Sequence, residues 1–103
     1  MSIEVRDNRD QKRYEVWTDG QRAGFAQYRL HAGRITFTHT EIDPKYEGAG
    51  LGGRLVGGAL DDARVRKLVV VPACPFVADY IRRHTEDYLE LVVPAMRTRV
   101  SGG

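Results

Sequence analysis

The sequence is poor in cysteine and in net charge, and it has no long apolar run. Its single cysteine, Cys74, excludes an intrachain disulfide framework and a multi-cysteine metal cluster. Sixteen lysines and arginines oppose fourteen aspartates and glutamates, and the formal charge of +2 lacks the basic excess of most nucleic-acid binders. No apolar run approaches the roughly 20 residues that span a bilayer, and the N-terminus lacks a signal-peptide core. We therefore expect a cytoplasmic monomer that binds neither nucleic acid nor membrane.

The composition is that of one globular domain. The 103 residues fall within the usual size of a single domain, and 42% hydrophobic with 29% charged residues separates the chain from disordered proteins. A domain of this size buries only about two thirds of its unfolded surface, which disfavours a large internal active-site chamber. We expect residues 1–103 to form a single domain with a flexible tail from about residue 98.

The first 42 residues predict an antiparallel β-meander. Apolar and polar residues alternate with the period of a strand, and the dipeptides Asp19-Gly20 and Ala32-Gly33 mark hairpin turns. A longer polar turn is expected over residues 7–13. The predicted strands lie near residues 3–5, 14–18, 22–30 and 34–41.

The second half of the chain predicts helices around one more strand, so the fold class is α+β. Asp43-Pro44 ends the meander and a glycine-rich stretch follows, after which apolar residues recur at helical spacing from Leu51 to Ala63. The apolar run over residues 68–71 is typical of a strand buried on both faces. Pro75 then opens a second helix, and Thr85 suits the start of a short last helix.

The glycine-rich turn between a strand and a helix predicts an anion site. Backbone N–H groups and the helix N-terminus favour a phosphate there, and Gly48, Gly50, Gly52 and Gly53 allow it to approach closely. The turn lacks the Lys-Ser/Thr pair of a nucleotide-hydrolysing loop, and the preceding antiparallel strands are the wrong setting for a dinucleotide fingerprint. A loop that only packs tightly is the alternative interpretation.

Two segments resemble one known family. Gly-x-Gly-Leu-Gly at 48–52, between a strand and an amphipathic helix, looks like the acetyl-CoA pyrophosphate loop of the GNAT N-acetyltransferase superfamily. The longer runs His39-Thr40-Glu41-Ile42-Asp43-Pro44 and Val71-Pro72-Ala73-Cys74-Pro75-Phe76-Val77 resemble small single-domain GNAT-like proteins of the YjdJ type. The resemblance spans about residues 14–93 and implies a truncated GNAT fold.

The resemblance implies acetyl-CoA or coenzyme A as the cofactor. Its pyrophosphate would lie on the glycine loop and its pantetheine arm beside the strand that precedes the loop. One departure is Glu47, where the superfamily usually has Gln or Arg; a carboxylate there should weaken binding unless Lys45, Arg54 or Arg83 offsets it. The implied cofactor-binding residues are Ile42, Gly48, Ala49, Gly50, Leu51, Gly52, Gly53 and Arg54.

Cys74 is the first candidate for a catalytic role. It stands between a strand and a proline that opens a helix, and a helix N-terminus stabilises a thiolate. A small buried hydrophobe is the alternative from position alone, whereas the resemblance places this cysteine near the thioester. Whether Cys74 would form an acyl-enzyme or only line the pocket stays open.

His39, Glu41 and Tyr80 complete the candidate catalytic set. By alternation His39 and Glu41 continue the face of Ile35 and Phe37, where polar groups need partners or border a cleft. A histidine at the edge of the core and a surface glutamate are the alternatives. The resemblance implies an acid in the helix after Cys74, which would be Tyr80, although its spacing also suits a core role.

Three functional hypotheses follow. The leading one is an acetyl-CoA-dependent N-acetyltransferase in which an amine attacks the thioester directly, with His39 or Glu41 assisting its deprotonation. The second is a CoA- or acyl-CoA-binding module without transferase activity, and the third is a protein-interaction domain with a purely structural glycine loop. The acceptor, a small amine or a protein lysine, cannot be read from the sequence.

Overall fold

The computed structural model describes residues 2–100 and builds them around one five-stranded sheet. The strands follow one another across the sheet in chain order. The first four pair antiparallel, as predicted, and the fifth runs parallel to the fourth. The strands are β1 (Ile3–Asn8), β2 (Arg13–Thr18), β3 (Gln21–His31), β4 (Arg34–Ile42) and β5 (Val69–Pro72).

The turns of the meander follow from their dipeptides. Asp19-Gly20 has φ values of +50° and +82°, and Ala32-Gly33 has +50° and +78°. Positive φ at both central residues twists a two-residue turn to match the flanking strands. The first turn is shorter than predicted, because β1 continues in register with β2 until Asn8 pairs with Arg13.

One residue of β4 interrupts its regular pairing with β3. Tyr28 pairs with Phe37, but the next residue back along β3, Gln27, pairs with His39. Thr38 therefore has no partner opposite it, which makes it the extra residue of a β-bulge. Side chains that follow a bulge point to the opposite face from the one simple alternation predicts.

Two helices pack on one face of the sheet and share its core. Helix α1 (Leu51–Val65) contacts all five strands, and α2 (Pro75–Arg83) packs on β4 and β5. Both helices begin where the sequence predicted. The largest buried side chains come from strands and helices alike: Tyr14, Val16, Ile35, Phe37, Leu51, Leu55, Val56, Leu60, Val70, Val77, Ile81 and Val92.

Glycines inside α1 let it approach its neighbours closely. A Cβ at Gly58 would lie 3.0 Å from Val5 Cγ2 of β1, and one at Gly57 would lie 2.8 Å from Tyr80 Oη of α2. Each interior glycine weakens a helix by about 1 kcal/mol relative to alanine. The close packing on β1 and α2 explains why glycine is nevertheless present at these positions.

The C-terminal half of α1 is fastened to the sheet by bonds between tyrosines and carboxylates. Tyr14 Oη donates to Asp62 at 2.5 Å, and Tyr28 Oη donates to Asp7 at 2.6 Å. Arg66 donates to Asp7 at 3.2 Å and to Tyr14 Oη at 3.4 Å. This cluster ties β1, β2 and β3 to the end of the helix.

Strand β5 is less buried than predicted. Val70 is fully buried, but Val69 is 38% exposed. A strand buried on both faces needs helices on both, whereas α1 and α2 cover one face and leave Val69 on the other. The expectation of burial on both faces was therefore wrong.

The last part of the chain forms short helical turns. Helix α3 (Thr85–Tyr88) begins at the predicted threonine, and 3-10 turns follow at Leu89–Leu91 and Pro94–Met96. Helix α4 (Arg97–Val100) includes residues 98–100, which the sequence analysis places in a flexible tail, and it buries Val100 in the core. The rest of that tail, residues 101–103, lies outside the described residues. Between residues 2 and 100, no helix is long and apolar enough to cross a membrane.

Candidate active site

The glycine loop forms a tight connection between β4 and α1. A 3-10 turn at Pro44–Tyr46 follows β4, and Asp43 caps it by accepting from the Lys45 N–H at 3.0 Å. Gly48 and Gly50 then have φ values of +84° and +75°, which favour glycine. Gly50 is the N-cap residue of α1, and the helix begins at Leu51.

The start of α1 presents backbone N–H groups without helical acceptors. The first helical bond is donated by the Arg54 N–H to Gly50 O at 3.3 Å. The N–H groups of Leu51, Gly52 and Gly53 come before it and have no carbonyl four residues back in the helix. The Ala49 N–H differs, because it donates to Tyr46 O at 3.3 Å. This geometry suits an anion, since N–H groups and the helix dipole point the same way.

A groove of about 360 Å³ adjoins these N–H groups. Six of the predicted cofactor-binding residues line it, whereas Ala49 and Arg54 do not. Glu47, the residue that departs from the superfamily pattern, also lines the groove. The lining residues are Thr40, Ile42, Tyr46, Glu47, Gly48, Gly50, Leu51, Gly52, Gly53 and Phe76.

Thr40, Tyr46 and Phe76 are groove residues that the sequence analysis did not assign to the site. A Cβ at Gly52 would lie 2.5 Å from Phe76 Cζ, so the glycine makes room for the ring between the two helices. Phe76 is 40% exposed in spite of this contact. The pairing of a helix glycine with an aromatic ring on another helix depends on tertiary packing, and no local pattern signals it.

Helices α1 and α2 run in the same direction from the groove. Gly52 faces Phe76 near both N-termini, and Gly57 faces Tyr80 one turn further along each helix. Both N-terminal ends therefore lie at the same end of the molecule, close to the glycine loop. Their dipoles add there, and the sum favours negative charge.

Cys74 lies where β4 and β5 part. The parallel pairing of the two strands ends at Phe37 and Pro72, and the Cys74 N–H donates to Phe37 O at 2.8 Å. Cys74 is the N-cap residue of α2 and is 4% exposed. Its Sγ donates to Thr40 Oγ1 at 3.4 Å, so the thiol is bonded directly to a residue that lines the groove.

His39 and Glu41 do not lie on the core face, and the expectation that they continue the face of Phe37 was wrong. The bulge at Thr38 reverses the alternation, so that Thr40 is partly buried while His39 and Glu41 are exposed. His39 Nε2 and Glu41 Oε1 are 2.9 Å apart. The two side chains form a coupled pair on the face of β4 opposite Thr40.

A second cavity, of about 540 Å³, is lined by Glu41. Phe25, Asp43 and Ile42 also line it, and Ile42 is shared with the groove. The end of β4 thus lies between the two cavities, and Glu41 of the exposed His39–Glu41 pair lines the larger one.

Tyr80 is not among the residues that line the groove. Its hydroxyl faces Gly57 and Tyr88, and its ring packs on His84 with centroids 4.3 Å apart. Burial raises the pKa of the Tyr80 phenol, and the Asp61 carboxylate adds to this effect. The structure therefore does not bring this hydroxyl together with Cys74 and Thr40.

Comparison with models of protein families identifies the family of this chain. The model of the family described as GCN5-related N-acetyl-transferase matches residues 13–91. No curated protein matches the sequence.

Two solved structures are similar in fold. One is the NMR structure of a GCN5-like protein from Staphylococcus aureus to which N-acetyltransferase activity is attributed, with 20% identity and a TM-score of 0.64 over 90% of this chain and 91% of that one. The other is the crystal structure of nourseothricin acetyltransferase, with 21% identity and a TM-score of 0.50 over 80% of this chain and 65% of that one.

Proposed function

Because the chain belongs to the GCN5-related N-acetyltransferase family, we propose that it transfers an acetyl group from acetyl-CoA to an amine. The observation that carries the proposal is the groove beside the N-terminus of α1. It combines unpartnered backbone N–H groups with a wall formed by the end of β4. The family match gives the reaction class, and the groove gives the part of the chain that would hold the cofactor.

The residues of the groove would suit the pyrophosphate and the pantetheine arm of coenzyme A. The N–H groups of Leu51, Gly52 and Gly53 would bind the pyrophosphate, and the open space at Gly48 and Gly50 leaves room for it. Ile42 would contact the pantetheine arm along β4. Arg54, exposed in the first turn of α1, would add positive charge at the mouth of the groove.

The chemistry needs a neutral amine and a proton for the departing thiolate. His39 and Glu41 form the pair that would take the proton from the amine, since their side chains are 2.9 Å apart and reach solvent. In direct transfer the amine nitrogen bonds to the carbonyl carbon as the carbon–sulfur bond of the thioester breaks. Cys74 lies where the strands part, which is where the thioester would lie if the pantetheine follows β4.

Titration with acetyl-CoA, followed by amide NMR spectra, tests the cofactor site. We expect saturable shifts at residues 48–53 and at Ile42. Pantetheine is the matched control ligand, because it lacks the pyrophosphate and should leave the amides of residues 51–53 nearly unchanged. Absence of shifts at residues 48–53 with acetyl-CoA would refute the proposal.

Glu47 supports a second candidate function, a CoA-binding module without transferase activity. Glu47 lines the groove, where its negative charge would oppose a pyrophosphate. Turnover assays with small amines and with lysine peptides separate the two functions. Acetyl-CoA binding without turnover across that set would favour the module.

Kinetics of Cys74→Ala and His39→Ala distinguish the routes of transfer. Loss of turnover in Cys74→Ala, together with an acetylated wild-type protein in the absence of an amine, would indicate a cysteine-bound intermediate. Normal turnover in Cys74→Ala would remove the cysteine from the chemistry. We expect His39→Ala to slow direct transfer, because the variant lacks an imidazole that can accept the proton of the amine.

A further inference from the structure

Thr40 links the groove to the lone cysteine. It lines the groove, and its Oγ1 accepts a hydrogen bond from Cys74 Sγ at 3.4 Å. We propose that Thr40 is a positioning residue whose hydroxyl holds the Cys74 sulfur at the parting of β4 and β5 and stabilises it when it carries negative charge. This role rests on the proposed function, because it matters to catalysis only if Cys74 takes part in acetyl transfer.

The β-bulge is what brings Thr40 to the sulfur. With regular alternation from Phe37, position 40 would share the open face with Thr38, and His39 would point toward the helices. The extra residue at Thr38 exchanges the two sides. The position of Cys74 is fixed by the hydrogen bond that its backbone N–H donates to Phe37 O at 2.8 Å. Two residues of β4 therefore set the position of the thiol.

A threonine hydroxyl can serve both protonation states of the sulfur. It accepts from the thiol, as the structure shows, and after rotation it donates to a thiolate. Valine has the same branched shape but neither capacity. The proposed role therefore needs the hydroxyl, and a side chain of the same shape without one cannot replace it.

Cys74 would carry negative charge in either of two catalytic roles. As a nucleophile, Cys74 first loses its thiol proton to solvent, and the thiolate then bonds to the acetyl carbon while the carbon–sulfur bond to CoA breaks, with the electron pair staying on the CoA sulfur. The amine nitrogen next bonds to the acetyl carbon while the bond from that carbon to Cys74 Sγ breaks, which returns the thiolate. As an acid, the thiol gives its proton to the departing CoA sulfur while the amine nitrogen bonds to the acetyl carbon. The proton of the resulting ammonium then leaves through His39 or Glu41 to solvent.

Charged side chains around Cys74 are engaged elsewhere. Glu41 and His39 pair with each other on the opposite face of β4. Asp79, one turn into α2, is exposed and pairs with Arg82 and Arg83. Glu47 lies in the groove beyond Thr40. The hydroxyl of Thr40 and the N-terminus of α2 are thus the groups placed to stabilise the sulfur.

The test measures the thiolate directly, in the protein without ligand. The ultraviolet absorbance of the thiolate is followed against pH, with Cys74→Ser as the blank. At a pH well below the midpoint of the wild-type titration, we expect Thr40→Val to contain at least about tenfold less thiolate, which is the lower end of the effect of losing one hydrogen bond to a charged atom. Thr40→Ser should match the wild type within about twofold, since it keeps the hydroxyl.

Thr36→Val is the matched control, because Thr36 is a threonine of the same strand on the opposite face. It should leave the thiolate fraction unchanged. If Thr40→Val folds poorly by circular dichroism, Thr40→Ala replaces it with the same expectation. Wild-type behaviour of Thr40→Val, or equal losses in Thr40→Val and Thr40→Ser, would overturn the proposal. The thiolate titration contains no acetyl-CoA, so it tests the role of Thr40 independently of the proposed function. The amide shifts of residues 48–53 with acetyl-CoA test the proposed function.

Discussion

The two ends of α1 use their polar groups in opposite ways. At the C-terminal end, Asp62 and Arg66 are engaged by residues of the sheet, and Tyr14 Oη donates to Asp62 at only 2.5 Å. At the N-terminal end, the N–H groups of Leu51 and Gly52 lack helical acceptors and face a groove. We call the C-terminal end of α1 the closed end, because its polar groups are bonded within the fold. We call the N-terminal end the open end, because a ligand there can accept hydrogen bonds from the free N–H groups. In this small domain, one end of α1 contributes to stability and the other end is available for binding.

The largest expected effect is at the open end. Gly50→Glu introduces a carboxylate among the N–H groups, and we expect the affinity for acetyl-CoA to fall by about 100-fold or more, roughly 3 kcal/mol. Isothermal titration calorimetry measures the loss.

Gly33→Glu is the matched control for that change. Gly33 also has positive φ, at +78°, and neither Gly33 nor Gly50 has an atom within 4 Å of an added Cβ. The backbone strain is therefore similar in both variants, at about 1 to 3 kcal/mol of stability. Equal losses of affinity in both would show that strain, and not the anion site, is responsible.

The next effect is at the closed end. Tyr14→Phe removes the bond to Asp62, and we expect the free energy of unfolding to fall by about 1 to 3 kcal/mol. Affinity for acetyl-CoA should stay within about twofold of the wild type, because the groove is at the other end of the helix. Urea denaturation and calorimetry give the two quantities. Tyr46→Phe, which loses a bond to the exposed Gln21, is the stability control and should cost less than about 1 kcal/mol. A loss of affinity in Tyr14→Phe would contradict the separation of the two ends.

A smaller effect follows from the tyrosines of the closed end at high pH. Burial and the bond to Asp7 raise the pKa of Tyr28 to about 12, and burial and Asp62 also raise that of Tyr14. Unfolded tyrosines ionise near pH 10, so the unfolded state loses its protons first. The stabilisation is complete below pH 10 and is lost as the pH rises toward 12, at about 1 kcal/mol per tyrosine after screening by solvent.

Urea denaturation at a series of pH values from about 8 to about 11, a range that includes the pKa of an unfolded tyrosine, measures how the free energy of unfolding falls with pH. The decline should be shallower in Tyr28→Phe, which has one fewer ionising group. A slope identical to that of the wild type would mean that Tyr28 ionises alike in both states.

The smallest expected effect is Glu47→Gln at the open end. Removing the carboxylate from the groove should tighten acetyl-CoA binding by about two- to fivefold, since an exposed charge acts through high dielectric. The gain should shrink at high ionic strength because salt screens exposed charges. Glu86→Gln, an exposed change on α3, should have no effect on affinity. Weaker binding in Glu47→Gln would mean that the carboxylate contributes to the site.

Elements whose signals are local were predictable from the sequence. Asp19-Gly20 and Ala32-Gly33 fix their turns through positive φ, and Pro75 fixes the start of α2. The glycine loop and Cys74 were found because their motifs are contiguous in the chain. The groove also contains Thr40, which lies within a quoted motif but was not assigned a role.

The errors have a common cause in pairing across the sheet. The strand 34–41 alternates in sequence throughout, and nothing in it marks Thr38 as unpaired, because a bulge is defined by the residues of β3 opposite it. His39 was therefore placed on the wrong face. Val69 was expected to be buried for a related reason: its exposure depends on which face the helices cover, and this is set by the whole topology.

The two edges of the sheet are closed by different means. An unpaired edge invites a strand from another molecule to add to it. On β1, Glu4 and Arg6 form an exposed ion pair at 3.0 Å, and charges on an edge disfavour such addition. On β5, the Val93 N–H donates to Val70 O at 2.9 Å, so the chain covers that edge itself. The sheet therefore carries protection against edge-to-edge aggregation on both sides, through charge on one and through its own backbone on the other.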